Sequence, residues 1–348
     1  MEFFSSLDSY DTIIDVRSPS EFAEDHVPGA INCPVLSDEE RVRVGTIYKQ
    51  VNAFEAKKIG AALVAKNIAE HLEAQFLDRP RNWKPLIYCW RGGNRSGAMA
   101  HILSQIGWHV QKLDGGYKKY RGEVNRALTA WPSRFTFQVV CGMTGSGKTR
   151  LLQMLESVGA QVLDLEKLAA HRGSVLGGLP SESQPSQKAF ESHIWQLLRG
   201  FNPAQPVFVE SESKKVGNLR VPEALMQKMR ESSCLSVLLP HAQRVQLLME
   251  DYAHFVCAPT SLASKLDCLT HLHGHEKIGR WKQMVSDGQM AVLVDELLVH
   301  HYDPSYLRSI ERNFVQFHKA QTVEIGDISV ESFRSAALSL HGTTCLSE

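Results

Sequence analysis

Two stretches of the chain combine residue types that do chemistry. The first, YCWRGGNRSG at residues 88–97, ends an apolar run in Cys89 and continues through Gly92 and Gly93 to Arg95 and Ser96. A loop that leaves a parallel strand and enters a helix aims successive backbone N–H groups inward, and the helix N-terminus beneath them favours an anion. The same field lowers the pKa of a thiol, so Cys89 is expected to be a thiolate nucleophile. Trp90, Arg91, Gly92, Gly93, Asn94 and Ser96 would form a phosphate-sized loop around it, with Arg95 offering a planar fork to a tetrahedral oxyanion. The glycines and Arg95 set this thiol apart from a structural core cysteine. The second stretch, GMTGSGKT at 142–149, satisfies G-x-x-x-x-G-K-[ST] between an apolar strand, FTFQVV, and a helix, TRLLQMLESV. Gly142, Gly145, Ser146 and Gly147 shape a turn whose amides cradle a diphosphate. Lys148 supplies a point charge and Thr149 a hydroxyl for Mg2+. A carboxylate assisting the metal belongs at the end of another strand, where Glu210 in FVESES and Asp164 in VLDLE stand, with Glu212 close by. Such residues serve equally as helix caps, and Glu210 is the preferred candidate.

The elements that must position these loops alternate between strand and helix. TIID, AINCPV, KPLIYC and HVQKLDGG read as strands, and the stretches between them read as helices by their apolar spacing. This order implies a mainly parallel sheet covered on both faces, closing near Leu128. TAWPSR is the expected linker, and RFTFQVV restarts the pattern, with QVLDLE, PVFVESES and CLSVLLP as further strands. From about residue 241 onward the periodicity is mostly helical. The expectation is an α/β chain with two domains. Residues 1–128 hold the first parallel sheet, and residues 129–348 hold a phosphate-loop sheet with a helical C-terminal part.

Composition narrows the class. The 348 residues are 43% hydrophobic and 22% charged, and Lys plus Arg equals Asp plus Glu at 38 each. The overall field therefore attracts no polyanion, and a nucleic-acid partner would need local basic patches. QKLDGGYKKYRGEVNR at 111–126, SKKVGNLR at 213–220 and HRGS supply candidates: Lys118, Lys119, Arg121, Lys214, Lys215 and Arg172. Solvated faces of this composition are common, so the clusters alone do not make an RNA site. The seven cysteines include no CxxC pair, which fits a reducing cytoplasm rather than a disulfide framework. Cys33 and Cys141 read as core. No apolar run approaches the ~18 residues of a membrane helix, and the N-terminus lacks the features of a signal peptide. HLHGHEK at 271–277 places histidines at alternate positions, but without a second ligand cluster it reads as a polar helix connection, and no metal is assigned there.

Cys-x5-Arg-Ser serves two chemistries, that of cysteine phosphatases and that of sulfur or selenium carriers. DVRSPSEFAEDHVPGAINCP at 15–34 and LDGGYKKYR at 113–121 resemble the rhodanese domain over roughly the first 128 residues. Most rhodaneses have one residue fewer between cysteine and arginine, so the pocket here should be larger and suit a phosphate-bearing donor. That enlargement keeps the phosphatase alternative open, with a nucleotide-binding regulatory domain appended and Asp15 or Asp114 as its general acid. A rhodanese domain ahead of a phosphate loop, together with LSDEERVRVGTIYKQ, DLEKLAAHRGS, VFVESESKKVG and HYDPSY, is similar to the tRNA 2-selenouridine synthase family over most of the chain. The resemblance implies a cytoplasmic transferase acting on the wobble 2-thiouridine of tRNAs for Lys, Glu and Gln. Its selenium comes from selenophosphate, bound at the Cys89 loop and delivered by a selenophosphate-supplying enzyme, with a cysteine-bound selenium as intermediate. It also implies S-geranylation of the same base from geranyl diphosphate, whose leaving group suits the 142–149 loop. No tightly bound cofactor is expected beyond Mg2+.

Overall fold

The computed structural model describes residues 7–173, 183–252 and 259–345; Ser174 of HRGS, the start of SESQPSQ and Cys257 fall outside them. The chain divides into two compact units, Met1–Leu128 with Pro185–Gln196, and Thr129–Gln184 with Leu197–Glu348.

In the first unit a parallel sheet runs in the order β2-β1-β3-β4, with β1 Thr12–Asp15, β2 Ala30–Asn32, β3 Pro85–Tyr88 and β4 Gln111–Lys112. All of β3 is buried, as expected for a central strand covered on both faces. The connecting helices are α1 Pro19–Glu24, α2 Asp38–Gln50, α3 Ala53–His71, α4 Asn94–Ile106 and α5 Gly116–Ala130. Local sequence sets their starts. Ser18 with Glu21 and Ser37 with Glu40 form capping boxes, and Pro19 occupies the first turn of α1, where its missing N–H is not needed. Ile14, Val16, Ile68, Phe76, Trp83, Ile87, Met99 and Leu103 fill the core, together with Cys33. Beneath them Arg17, 1% exposed, forks onto Asp15 and donates to the Asp25 carbonyl. The Asp-x-Arg pair is therefore a buried structural tie.

The second unit has the parallel order β11-β10-β5-β7-β6, with β5 Phe137–Cys141, β6 Gln161–Leu163, β7 Val207–Glu210, β10 Ser233–Leu238 and β11 Gln321–Glu324. A small antiparallel hairpin, β8 Lys215–Val216 and β9 Leu219–Arg220, stands apart from it. The remaining helices in chain order are α6 Lys148–Ser157, α7 Leu165–Ala169, α8 Gln187–Gly200, α9 Glu223–Glu231, α10 His241–Asp251, α11 Pro259–Leu266, α12 Thr270–Ser286, α13 Met290–Leu297, α14 Asp303–Asn313 and α15 Val330–Cys345, and of these α8 lies mostly in the first unit. Leu151, Leu152 and Leu155 of α6 pack on Val140, Phe208 and Val237 of the sheet, while Trp281, Leu293 and Leu297 centre a separate core in the helical part. Both units are thus parallel α/β sheets, and among the described residues no helix is long and apolar enough to cross a membrane.

The tail is mostly helical, as read, with one strand in it: Gln321–Glu324 pairs in parallel with β10 and closes one edge of the sheet. One sequence expectation is corrected. Residues 185–196 belong to the first unit although they follow the phosphate loop in sequence. Buried polar ties explain this. Ser192 Oγ donates to Asp25 at 3.1 Å, Arg121 pairs with Glu191, and Trp195 meets the edge of Tyr120.

Candidate active sites

The cysteine site is built from one strand end and two helix starts. Cys89 follows β3, and Gly93 caps α4, so the loop feeds directly into a helix N-terminus. Cys89 Sγ lies 3.3 Å from Ser96 Oγ. Burial alone would push the thiol up. Hydrogen bonds from the Ser96 side chain and backbone and from the Arg91 backbone, with the Arg95 charge, outweigh it and hold Cys89 below the ordinary thiol value. The start of α5 supports the loop from behind: the N–H groups of Tyr117 and Lys118 donate to the Cys89 and Trp90 carbonyls, both at 2.9 Å. Gly116, at φ +57, makes this possible, because a Cβ there would sit 2.3 Å from the Cys89 oxygen and 2.6 Å from the Gly92 nitrogen. Trp90 packs on the Tyr117 ring at 5.3 Å and stays 36% exposed.

Arg95 is engaged in a way the sequence did not reveal. Its guanidinium grips Glu21 of α1 in a two-point contact, Nη1 to Oε2 at 2.6 Å and Nη2 to Oε1 at 3.3 Å. Burial pushes the Glu21 carboxyl up, but Arg95 wins and holds it below the usual carboxylate range. An incoming anion must share Arg95 with Glu21. The carboxylates considered as general acids are also occupied. Asp15 is wholly buried in its pair with Arg17, and Asp114 is exposed and paired with Lys119, which holds its pKa low. The loop therefore offers an activated thiol and an arginine, with no proton donor from Asp15, Asp114 or Glu21. That arrangement disfavours phosphatase chemistry on ordinary esters, whose alkoxide leaving groups need a proton.

The phosphate loop joins β5 to α6. Lys148 Nζ donates to the Gly142 carbonyl at 2.8 Å, and Thr149 Oγ1 to Glu166 Oε2 at 3.3 Å. Gly147, at φ +83, caps α6; a side chain there would run into the Phe333 ring. Facing Thr149, carboxylate oxygens of Glu166, Glu210 and Glu212 lie within 4.8 Å of one another. Glu210 is 1% exposed, and its Oε2 has no hydrogen-bond partner among the described residues, while Oε1 accepts from the Glu166 N–H. A buried carboxylate oxygen left unpaired beside two others fits a hard divalent cation such as Mg2+, which takes oxygen ligands. Asp164 takes another role: it caps α7 by accepting from the Lys167 N–H at 2.8 Å. Glu166, two residues on, replaces it in the cluster.

Burial, then mutual repulsion partly offset by Lys148, raises the Glu166 carboxyl to about 7 and the Glu212 carboxyl to about 8, and puts Glu210 well above the usual range. In the unfolded chain these groups ionise near 4.5, so between that pH and about 8 the fold holds protons the unfolded state has released. Stability from this source is present at low pH and is lost as pH rises, by up to about 1.4 kcal/mol per held proton per pH unit. The melting temperature of the metal-free protein should therefore fall from pH 6 to pH 9, and Glu212→Gln or added Mg2+ should flatten the fall. A flat profile for the metal-free wild type would remove the basis for the cluster.

HYDPSY also meets the phosphate loop. Tyr306 Oη accepts from the Gly142 N–H at 2.6 Å, and its ring lies 5.7 Å from Lys148 Nζ. Arg244, 5% exposed, donates to the Thr144 carbonyl at 2.9 Å and forks onto Asp303 at 2.5 and 3.1 Å. These contacts tie the start of α14 to the loop. Removing one partner of such a pair leaves the other charge unpaired, so Arg244→Ala, and Asp303→Asn, which strands the more buried guanidinium, should each cost about 3 kcal/mol, read as a lower melting temperature. Equal melting temperatures for Arg244→Ala and wild type would show that the tie contributes nothing.

Comparison with known proteins adds the family. Residues 3–123 match the rhodanese-like domain model, and residues 135–276 match the tRNA 2-selenouridine synthase AAA domain model. Two curated relatives, from Nitrosomonas europaea and Nitrosomonas eutropha, are 39% and 36% identical over 69% of this chain; both are named tRNA 2-selenouridine synthase. These alignments span 63% and 62% of those relatives, a little under two thirds of their length. A relative of the same name from Bdellovibrio bacteriovorus is 30% identical, with 87% of this chain and 90% of that protein aligned. The chain belongs to the tRNA 2-selenouridine synthase family. Within this member, the AAA match includes Arg244 but ends before Asp303 and Tyr306, so part of the loop's support lies beyond the matched segment.

The cations singled out for RNA separate into two groups. Arg121 is held by Glu191, by the Lys188 carbonyl and near Asp25, and Arg172 donates to the Asp251 carbonyl and lies over the Tyr252 ring. Both are held by internal ties. Lys118, Lys119, Lys214 and Lys215 are exposed, Lys119 being paired with Asp114 and Lys214 with Glu223. His301, which the sequence could not place, lies against His273 with ring nitrogens 3.0 Å apart. Cys33 and Cys141 are fully buried, as read.

Proposed function

We propose that this protein replaces the sulfur of a wobble 2-thiouridine in tRNAs of the Lys, Glu and Gln type by selenium, using selenophosphate and passing through an S-geranylated base. The observation that carries this reading is an activated thiol whose neighbouring carboxylates supply no proton, in a chain of this family. Such a site suits a phosphoryl donor whose leaving group departs as a stable anion. Hydrogen selenide is such a group, and an alkoxide is not.

Electron count decides where Cys89 attacks. If the thiolate took selenium, the Se–P electron pair would leave with phosphorus as phosphite, and the perselenide selenium left on Cys89 would need a two-electron reductant, which nothing here supplies, before it could enter the base at the selenide level. If it attacks phosphorus, the S–P bond forms, the P–Se bond breaks, and selenium departs as HSe− with its oxidation state unchanged. Water then cleaves the S–P bond, giving phosphate and restoring the thiolate. This replaces the cysteine-bound selenium implied by resemblance with a cysteine-bound phosphoryl group. HSe− adds at C2 of the S-geranylated base, its proton passes to N3, and the C2–S bond breaks to release geranylthiolate, which takes a proton from water.

The phosphate loop is assigned to geranyl diphosphate. Sulfur of the thiouridine attacks the allylic carbon, the C–O bond pair leaves on the diphosphate, and the N3 proton passes to water as C2=N3 forms. Lys148 and the loop amides stabilise the charge that develops there. A Mg2+ ion held by Thr149, Glu166, Glu210 and Glu212 would neutralise part of the diphosphate charge when bound. A selenophosphate-supplying enzyme is the expected partner upstream. The deciding experiment incubates the purified chain with thiolated tRNA, geranyl diphosphate and selenophosphate, and analyses the nucleosides by mass spectrometry. Selenouridine is expected; its absence, with folded protein and intact substrates, would reject the assignment.

A further inference from the structure

The hairpin formed by α2 and α3 is built unlike the rest of the first unit. α2 buries no residue, and α3 buries only Ala56, Gly60 and Ile68. Val44 lies against Gly60, so the two helices meet through small contacts on one side. Elsewhere the hairpin leaves Val42, Tyr48, Val51 and Phe54 open, at 68%, 60%, 64% and 68% exposure. Four large apolar groups this open along one helical hairpin are a feature that solvent alone does not favour.

Charge identifies the occupant. Arg41, Arg43, Lys49 and Lys57 are exposed along the same hairpin, and among the described residues none has a carboxylate within ion-pair reach. Glu55 is the one acid between Arg41 and Lys58, and it is paired with Lys58. Two of the three acids at the start of α2 are otherwise engaged, Asp38 holding Ser20 and Glu40 capping Ser37 and holding Asn67, while Glu39 is exposed at the foot of the helix. A protein-docking core is depleted in lysine. A surface of bare cations interleaved with open aromatic rings instead matches RNA, whose phosphates take the cations and whose unpaired bases stack on the rings.

The hairpin is also continuous with the reactive loop. Asp38 at the foot of α2 binds Ser20, the residue before Glu21, and Glu21 grips Arg95. The patch begins one turn along α2 and runs to its far end, and a helix of 13 residues is about 20 Å long. An RNA with its modified base at Cys89 would thus have its neighbouring nucleotides within reach of the patch.

We infer that the α2–α3 hairpin is a docking surface for the RNA substrate, gripping phosphates through Arg41, Arg43, Lys49 and Lys57 and stacking unpaired bases on Tyr48 and Phe54. The inference rests on the proposed tRNA reading. Its test uses the full chain and a synthetic anticodon stem-loop carrying 2-thiouridine, with binding followed by fluorescence anisotropy at several salt concentrations. The triple variant Arg41→Ala/Arg43→Ala/Lys49→Ala should weaken binding about tenfold or more and lower the salt slope by about 2, since each lost phosphate contact removes about 0.7–0.9. Tyr48→Ala/Phe54→Ala should weaken binding several-fold, with the salt slope unchanged. Both alter exposed side chains, and matching melting curves would establish that the variants fold. Release of selenide from selenophosphate without RNA should be unchanged in both. Wild-type affinity and slope in both folded variants would overturn the inference, as would a loss of self-association with RNA affinity intact, which would assign the face to a second copy of the chain. If wild type bound the stem-loop but made no selenouridine, the functional reading would fail while the surface stood.

Discussion

Cys89→Ser should reduce selenium incorporation by about 10³-fold or more while leaving geranylation of the thiouridine intact. The substitution changes one atom in a loop whose backbone is fixed by Tyr117, Lys118 and Gly116, so the cradle survives. What is lost is the ability to ionise. The hydrogen bonds and positive charge that hold the Cys89 thiol below its ordinary value act on a hydroxyl too, but a hydroxyl starts far higher and stays protonated. Selenide release by wild type should rise with pH and level off below the ordinary thiol pKa, because the thiolate is the active form. Ser96→Ala, which removes the 3.3 Å contact to Sγ, should shift that rise to higher pH without abolishing it. Mass spectrometry after brief exposure to selenophosphate should find a phosphoryl group on Cys89. Full selenium incorporation by Cys89→Ser would remove the thiol from the mechanism. Selenium rather than phosphorus on the trapped cysteine would reverse the assigned direction of attack.

The parts legible in the sequence are those whose chemistry is local. Cys89 to Ser96 and Gly142 to Thr149 are consecutive residues between a strand and a helix, so spacing alone sets what they surround. The buried strands were legible for the same reason, as short apolar runs bounded by turns. The parts that were not legible depend on partners distant in sequence. Arg95 reads as a free fork until the fold brings Glu21 to it, 74 residues away. Arg121 reads as a surface cation until α8 returns to bury it. In DLE, both Asp164 and Glu166 are plausible metal ligands. The cap geometry of α7 takes the first and leaves the second for the cluster, and a single sequence carries no sign of that choice. β11 was missed because QTVE is short, half polar and arrives after a long helical stretch; only its place beside β10 makes it a strand. Asp303 and Tyr306 stand in a segment whose family resemblance was visible, but their contacts with the phosphate loop are tertiary.

Lys148→Ala should lower geranyl transfer from geranyl diphosphate by about 10²–10³-fold, the range seen when one preorganised charge is removed from a developing anion. Lys148 donates to the Gly142 carbonyl within the loop, so its loss leaves a single carbonyl to be rehydrated and should not unfold the strand–loop–helix unit. The division of labour between the two loops then makes a sharper claim. Starting from 2-thiouridine, selenium incorporation should fall along with geranylation, because sulfur left unalkylated is a poor leaving group at C2. Starting from tRNA that is already S-geranylated, the same variant should incorporate selenium at close to the wild-type rate, since that step relies on Cys89. Glu210→Gln should mirror Lys148→Ala in both assays and also raise the Mg2+ concentration needed for geranylation, because it removes the buried oxygen that has no other partner. If Lys148→Ala abolished selenium incorporation while geranylating normally, the 142–149 loop would have to be reassigned to the selenium step, with geranyl diphosphate bound elsewhere.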